Sequence, residues 1–83
     1  MIVRVKLFAV LRNMLPPDSN GEWLELELPE GTTPRQIIDQ LEIPEHLAHL
    51  VMVDGFHLLP DEVQNRGLKP GEVVAIFPPI MGG

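Results

Sequence analysis

Residues 72–77 read Glu-Val-Val-Ala-Ile-Phe, and Pro78 and Pro79 follow directly. The apolar run leaves no polar face, which is typical of a strand that is covered on both sides. Such a strand belongs in the middle of a sheet rather than at its edge. Because proline fixes φ and lacks an N–H, the strand must end before residue 78. The sequence therefore predicts a final strand over 72–77 at the centre of the sheet.

Two segments nearer the N-terminus, 2–9 and 22–28, alternate between apolar and polar residues. This period of two indicates strands with one face on the core. The side chains predicted to face the core are Val3, Val5, Leu7, Leu24, Leu26 and Leu28. Between the two segments, residues 18–21 read Asp-Ser-Asn-Gly, which is a dense turn signal. We therefore predict an antiparallel pair of strands joined by a long loop.

A helix is predicted to begin at Pro34. Thr33 as the N-cap, proline at the first helical position and Gln36 at the third form the pattern of a capping box. The apolar stripe predicted to pack on the core consists of Ile37, Ile38 and Leu41.

The remaining predicted elements are short. In chain order they are a helical turn over 11–15, a second turn carrying Leu47 and Leu50, a strand over 50–53, a turn at Asp54-Gly55, an extended segment over 57–59 and a turn over 68–71.

This order of elements predicts an α+β fold with two layers. If the first and last strands are neighbours, they run parallel, and the helix packs across one face of a mixed sheet. That arrangement is the β-grasp, or ubiquitin-like, fold. We predict a β-grasp domain over 1–77 and a flexible C-terminal Gly-Gly tail over 78–83.

Composition narrows the classes of function. A chain of 83 residues holds one core, and the absence of cysteine excludes disulfides and thiolate sites. The net charge of −6 disfavours binding to nucleic acid, which needs clustered Lys and Arg. The alternating N-terminus is neither a signal peptide nor a membrane span, so we expect no membrane partner and a cytoplasmic protein.

The last residues carry the strongest functional signal. They read Pro78-Pro79-Ile80-Met81-Gly82-Gly83. Two prolines favour an extended stalk, and two glycines can thread a narrow channel because they have no Cβ. A terminal Gly-Gly is what activation of the carboxylate at Gly83 inside another enzyme requires. No Ser/His/Asp array, phosphate loop or catalytic carboxylate pair is present, so we expect no independent catalysis and no bound cofactor.

Three lesser signals have competing interpretations. His46 and His49 could share a face of a helical turn, but solvated histidines are favoured over a metal site because no third ligand is evident. The phenylalanines Phe8, Phe56 and Phe77 could form a patch for a partner or pack in the core, with the two interpretations equally weighted for Phe77. The acidic residues Glu22, Glu25, Glu27 and Glu30 could form a docking face, but a solvated strand face is favoured.

The chain resembles the MoaD/ThiS sulfur-carrier family over nearly its whole length. The matching segments are Phe8-Ala9-Val10-Leu11-Arg12, Gly31-Thr32-Thr33 and residues 70–83. Its length and the Phe-Pro-Pro before the tail are more similar to the small subunit of molybdopterin synthase than to the shorter thiazole-pathway carriers.

The resemblance implies that a MoeB/ThiF-like enzyme uses ATP to adenylate Gly83, and that sulfur then converts the adenylate to a thiocarboxylate. It implies sulfur delivery to a dithiolene precursor within a MoaE-like large subunit, for the molybdenum or tungsten cofactor. The residues that it places at the partner interface are Arg12, Phe77, Pro78, Pro79, Ile80 and Met81, with Gly82 beside the reacting Gly83.

The sequence departs from the family pattern at Asn13, at Asp54 and in residues 69–72, away from the tail. These departures bear on the partner, because such carriers also serve thiamine, cysteine and tRNA thiolation pathways. Two further alternatives are a ubiquitin-like modifier that is joined to lysines and a β-grasp interaction module whose glycines are incidental.

Overall fold

The structure is a computed structural model that describes residues 1–17, 19 and 23–79. Its strands are β1 (Ile2–Leu7), β2 (Trp23–Glu27), β3 (Leu50–Val53), β4 (Phe56–His57) and β5 (Val73–Phe77). The α-helices are α1 (Pro34–Gln40) and α2 (Pro60–Asn65), and two 3₁₀ helices cover Ala9–Met14 and Glu45–Leu47.

The strands form one mixed sheet in the order β2-β1-β5-β3-β4. Strands β1 and β5 are parallel, with Val5 opposite Val74, and the other neighbouring pairs are antiparallel. The prediction of a central last strand beside a parallel first strand is therefore confirmed. With α1 packed on the sheet, this is the predicted β-grasp fold.

The core lies between one face of the sheet and the helices. Its fully buried side chains include Val3, Val5, Leu7, Leu11, Ile37, Ile38, Val53, Val74 and Ile76. The prediction that β5 is buried on both faces was wrong. Val74 and Ile76 are buried, whereas the side chains at 73, 75 and 77 are only half-buried, because helices cover a single face.

Helix α1 begins and ends as its sequence dictates. The Thr33 Oγ1 accepts the Gln36 N–H at 3.3 Å and the Gln36 Oε1 accepts the Thr33 N–H at 2.9 Å, so the predicted capping box is confirmed. At the other end Glu42 has φ +57, and the Ile43 N–H donates to the Ile38 carbonyl at 3.0 Å. This is a Schellman ending, in which the left-handed residue turns the chain out of the helix.

Several boundaries differ from the predictions. Strand β1 ends at Leu7 rather than at residue 9, because Ala9 has φ +53 and starts the first 3₁₀ helix. The strand predicted over 50–53 is confirmed as β3, so Leu50 belongs to that strand and not to the preceding helical turn. Most of the predicted turn over 18–21 lies outside the described residues.

Helix α2 was not predicted, although its start carries a signal. Pro60 occupies the first helical position, and the Glu62 Oε1 accepts the Leu59 N–H at 2.8 Å. Because Leu59 offers no capping oxygen, only half of a capping box is present in the sequence.

The turn at Asp54-Gly55 joins β3 to β4 as predicted. Both residues have positive φ, at +50 and +85, which is the requirement of a two-residue type I′ hairpin. The Asp54 Oδ1 accepts the Val73 N–H at 2.8 Å, and the Asp54 N–H donates to the Val73 carbonyl at 2.9 Å. The hairpin tip is therefore tied to the start of the central strand.

The approach to β5 is held by Glu72. Its carboxylate accepts two bonds from the Arg66 guanidinium, at 2.8 and 3.1 Å, and the Lys69 N–H at 2.7 Å. The bond from Arg66, more than any other contact, lowers the pKa of Glu72 below its usual range. This cluster fixes the end of α2 against the entry to the central strand.

We expect Glu72→Gln to lower the free energy of unfolding by about 1 kcal/mol at neutral pH, since a charged bidentate pair is lost at a partly exposed site. Because the native state keeps Glu72 ionised at lower pH than the unfolded chain does, its contribution is complete above about pH 4.3 and disappears as the pH falls through the lowered value. Urea unfolding of the wild type and the variant at neutral pH and at about pH 3 measures both effects. The exposed Glu30→Gln is the control, and equal stability of the two variants at neutral pH would contradict the prediction.

Candidate docking groove at the root of the tail

An apolar groove lies where β5 ends and the tail begins. It has a volume of about 510 Å³. Its lining consists of Phe8, Ala9, Val10, Leu47, Phe77, Pro78 and Pro79. No lining residue carries a charge, so the groove can accept apolar surface without desolvating an ion.

The wall of the groove is an aromatic stack. The rings of Phe8 and Phe77 have centroids 4.1 Å apart and planes inclined by 12°. Both residues are half-buried, so each ring contributes to the body of the protein and to its surface. From the sequence, core packing and partner docking were equally weighted for Phe77. Its half-buried ring at the groove contributes to both.

The parallel pairing of β1 and β5 builds this site. Leu7 lies opposite Ile76, so the next residue of each strand, Phe8 and Phe77, emerges at the same edge of the sheet. The second 3₁₀ helix contributes Leu47 to the groove. Two residues later, the His49 N–H donates a hydrogen bond to the Phe77 carbonyl at 3.0 Å.

The apolar surface continues from the groove across the sheet face that the helices leave uncovered, here called the open face. Leu50 pairs with Phe77 and Met52 pairs with Ala75, so their side chains lie on the same side of the sheet. All four residues are half-buried. Neighbouring half-buried apolar side chains of this kind are typical of protein interfaces.

A charged strip borders this surface. The Arg4 guanidinium lies 5.1 Å and the Lys6 ammonium 5.8 Å from the centroid of the Trp23 ring, within the range of cation–π interactions. The same face also carries two exposed carboxylates, because Glu25 lies opposite Arg4 and Glu27 lies opposite Ile2. This border of the open face is therefore of mixed charge.

The predicted site residues fall into three groups. Phe77, Pro78 and Pro79 meet in the groove, whereas Arg12 is exposed on the first 3₁₀ helix and does not line it. Phe56 is 75% exposed and also does not line the groove. The remaining predicted residues, Ile80, Met81, Gly82 and Gly83, lie outside the described residues.

Sequence reasoning missed Ala9, Val10 and Leu47 as groove residues. A signal for the first two was present, because the alternation of β1 stops at Phe8 and gives way to adjacent apolar residues. Leu47 had no such signal, since its place depends on how a short 3₁₀ helix packs.

Within residues 1–17, 19 and 23–79, no group of three or more His, Asp or Glu side chains could hold a metal ion. Across the same described part, no helix is both long and apolar enough to cross a membrane.

Comparison with known proteins adds three structural relatives and one family. A family model described as the ThiS family matches residues 5–83. A protein from Pyrococcus furiosus, assigned as subunit 1 of a molybdopterin converting factor, is 29% identical, with a TM-score of 0.66 over 95% of this chain and 98% of that one. No curated protein sequence matches the chain.

Two further solved structures are similar over 100% of both chains. SAMP1 from Haloferax volcanii is 18% identical with a TM-score of 0.70. A chain in the complex of subunits 1 and 2 of the molybdopterin-converting factor from Helicobacter pylori 26695 is 22% identical with a TM-score of 0.62. At these identities the two likenesses support the fold.

We expect the stacked rings to be energetically coupled. Phe8→Ala and Phe77→Ala should together cost about 0.5–1.5 kcal/mol less than the sum of their separate effects on the free energy of unfolding, because the first substitution already removes the stack. Urea unfolding of the wild type, both single variants and the double variant measures the coupling. Phe56→Ala with Phe77→Ala is the matched control cycle and should be additive. Additivity in the Phe8–Phe77 cycle would contradict the prediction.

Proposed function

Since the chain belongs to the ThiS family of sulfur carriers, we propose that it carries sulfur on its own C-terminal carboxylate, at Gly83. The observation that carries the proposal is the family match, which extends through Gly82-Gly83 to the end of the sequence. The apolar groove at the root of the tail supports it, because a carrier must present a docking surface beside its reacting end.

The proposed chemistry has two steps, both in the active site of a MoeB/ThiF-like adenylating enzyme. In the first, an oxygen of the Gly83 carboxylate attacks the α-phosphate of ATP, which forms an acyl-adenylate and releases pyrophosphate. In the second, a hydrosulfide-class sulfur nucleophile attacks the acyl carbon, and the bond to AMP breaks. The products are a thiocarboxylate at Gly83, AMP and a proton.

The folded body supplies binding energy for these steps. Gly82-Gly83 loses conformational freedom when it enters a channel, and that cost must be offset by contacts elsewhere. The groove and the open face offer such contacts through Phe77, Leu50 and Met52. Buried apolar area stabilises a complex by about 25 cal/mol per Å², although only the surplus over ordering costs appears as affinity.

We propose molybdopterin formation as the pathway and a MoaE-like large subunit as the second partner. Support comes from the relatives, since two similar structures are subunit 1 of molybdopterin converting factors and one of them is complexed with subunit 2. The sulfur acceptor would be a dithiolene precursor held by that large subunit.

Incubation with ATP, a cognate adenylating enzyme and a sulfur donor should raise the mass of the chain by the difference between one sulfur and one oxygen atom. Deletion of Gly83 should abolish the gain and leave the urea midpoint almost unchanged, because the buried side chains of the described residues all lie between Val3 and Ile76. Intact-protein mass spectrometry measures the gain.

Gly82→Leu tests the channel requirement, since a side chain must then fit where only backbone passed. It should slow the same mass gain while leaving stability unchanged. If no adenylating enzyme modifies the wild type, or if the Gly83 deletion is modified equally well, the carrier proposal fails. Lysine-linked adducts that survive a reducing gel would instead indicate a protein modifier.

The pathway has its own test. The thiocarboxylated chain, mixed with a molybdopterin synthase large subunit and its precursor, should lose the added mass as sulfur is transferred. Omission of the precursor is the control. Retention of sulfur there, with loss in a thiazole-forming system, would assign the chain to thiamine synthesis.

A further inference from the structure

We infer that Phe8 is a positioning residue, whose ring holds Phe77 and thereby fixes the direction in which Pro78 and Pro79 leave the sheet. These two prolines would then be aimed before any partner binds. The inference rests on the proposed function for its kinetic consequence, while its structural content can be tested separately.

The rings of Phe8 and Phe77 are closely stacked. Aromatic pairs prefer offset or edge-to-face arrangements, with centroids about 4.5–7 Å apart. The Phe8 and Phe77 rings lie closer, at 4.1 Å, and nearly parallel, at 12°. Each ring therefore limits the movement of the other, provided that its own backbone is held in place.

The backbone beside Phe8 shows such a constraint. Ala9 has φ +53, in the left-handed region, which costs a residue with a Cβ about 1–2 kcal/mol. The Leu11 N–H closes the turn on the Phe8 carbonyl at 3.1 Å. Strained residues persist where the surrounding structure over-determines them, and they cluster at functional sites. The strain at Ala9 is therefore evidence that the position of Phe8 is fixed.

Phe77 is also held, at two points. Its ring lies against Phe8, and its carbonyl accepts the His49 N–H at 3.0 Å. The next two residues, Pro78 and Pro79, have φ fixed by their rings and are half-buried in the groove. Because proline segments are stiff over several residues, an orientation set at Phe77 is transmitted through residue 79.

This rigidity would act on the reaction rate. If Pro78 and Pro79 already have a fixed direction, less conformational entropy is lost when the residues after them enter an active site. Correct placement of a reacting group also contributes to catalysis. Loss of placement lowers kcat, whereas loss of docking area raises KM. The two roles of an aromatic residue at the groove can therefore be separated.

The kinetic test compares three variants as substrates of the cognate adenylating enzyme, followed by pyrophosphate release. Phe8→Leu removes the ring and keeps an apolar side chain, and kcat should fall about threefold to tenfold with KM within about twofold of the wild type. Phe8→Tyr keeps the ring and should restore most of that kcat. Val10→Ala, which trims the groove without touching the stack, should raise KM alone. If Phe8→Leu raises KM and leaves kcat unchanged, Phe8 is a docking residue and the inference is overturned.

The structural test needs no sulfur chemistry. The chain has no cysteine, so Ile80→Cys, at the residue directly after the two prolines, accepts a single nitroxide label. Paramagnetic broadening of backbone amides should be confined to one side of the groove when Phe8 is present and should spread over both sides in the Phe8→Leu background. An identical pattern in both backgrounds overturns the inference, even where adenylation proceeds. If the wild type is not adenylated, the proposed function is contradicted, but the result of the labelling experiment is unaffected. Circular dichroism checks folding, and Phe8→Met replaces Phe8→Leu if the latter is unfolded.

Discussion

Strands β1 and β5 run side by side in the same direction, and the rest of the molecule follows from that pairing. Parallel neighbours cannot be joined by a tight turn, so the chain between them must supply a crossover, and α1 packs on the sheet within it. The same register brings Leu7 opposite Ile76 and delivers Phe8 and Phe77 to one edge. A single ladder of hydrogen bonds thus determines both the core and the root of the tail.

The sequence predicted the elements whose signals are local. The alternation in β1, the capping box at Thr33 and the Asp54-Gly55 turn each depend on neighbouring residues, and each was confirmed. Helix α2 was missed because its N-cap is Leu59, which has no side-chain acceptor, and because it is only one or two turns long. The apolar run of β5 predicted its central place correctly but misled about burial, since apolar residues serve an interface as well as a core.

The candidate site was harder to predict, because it is made by packing between distant segments. Phe77, Pro78 and Pro79 were identified through the family resemblance, yet their neighbour Leu47 comes from a short 3₁₀ helix that no sequence pattern positions. The stack of Phe8 on Phe77 follows from register alone. Ala9 adopts a left-handed backbone conformation, which a glycine or asparagine at this position would have suggested but an alanine does not.

The tail prolongs a strand that is hydrogen-bonded along both of its sides, and this has a mechanical consequence. Traction on the tail runs along the axis of β5, parallel to its neighbours β1 and β3. Force in that direction shears both ladders at once, whereas force across an edge strand peels hydrogen bonds one after another. An unfolding machine that pulls on the residues after β5 must therefore break both central ladders first, while one that begins at β4 meets the ladder with the shortest register, which pairs β4 with Met52 and Val53.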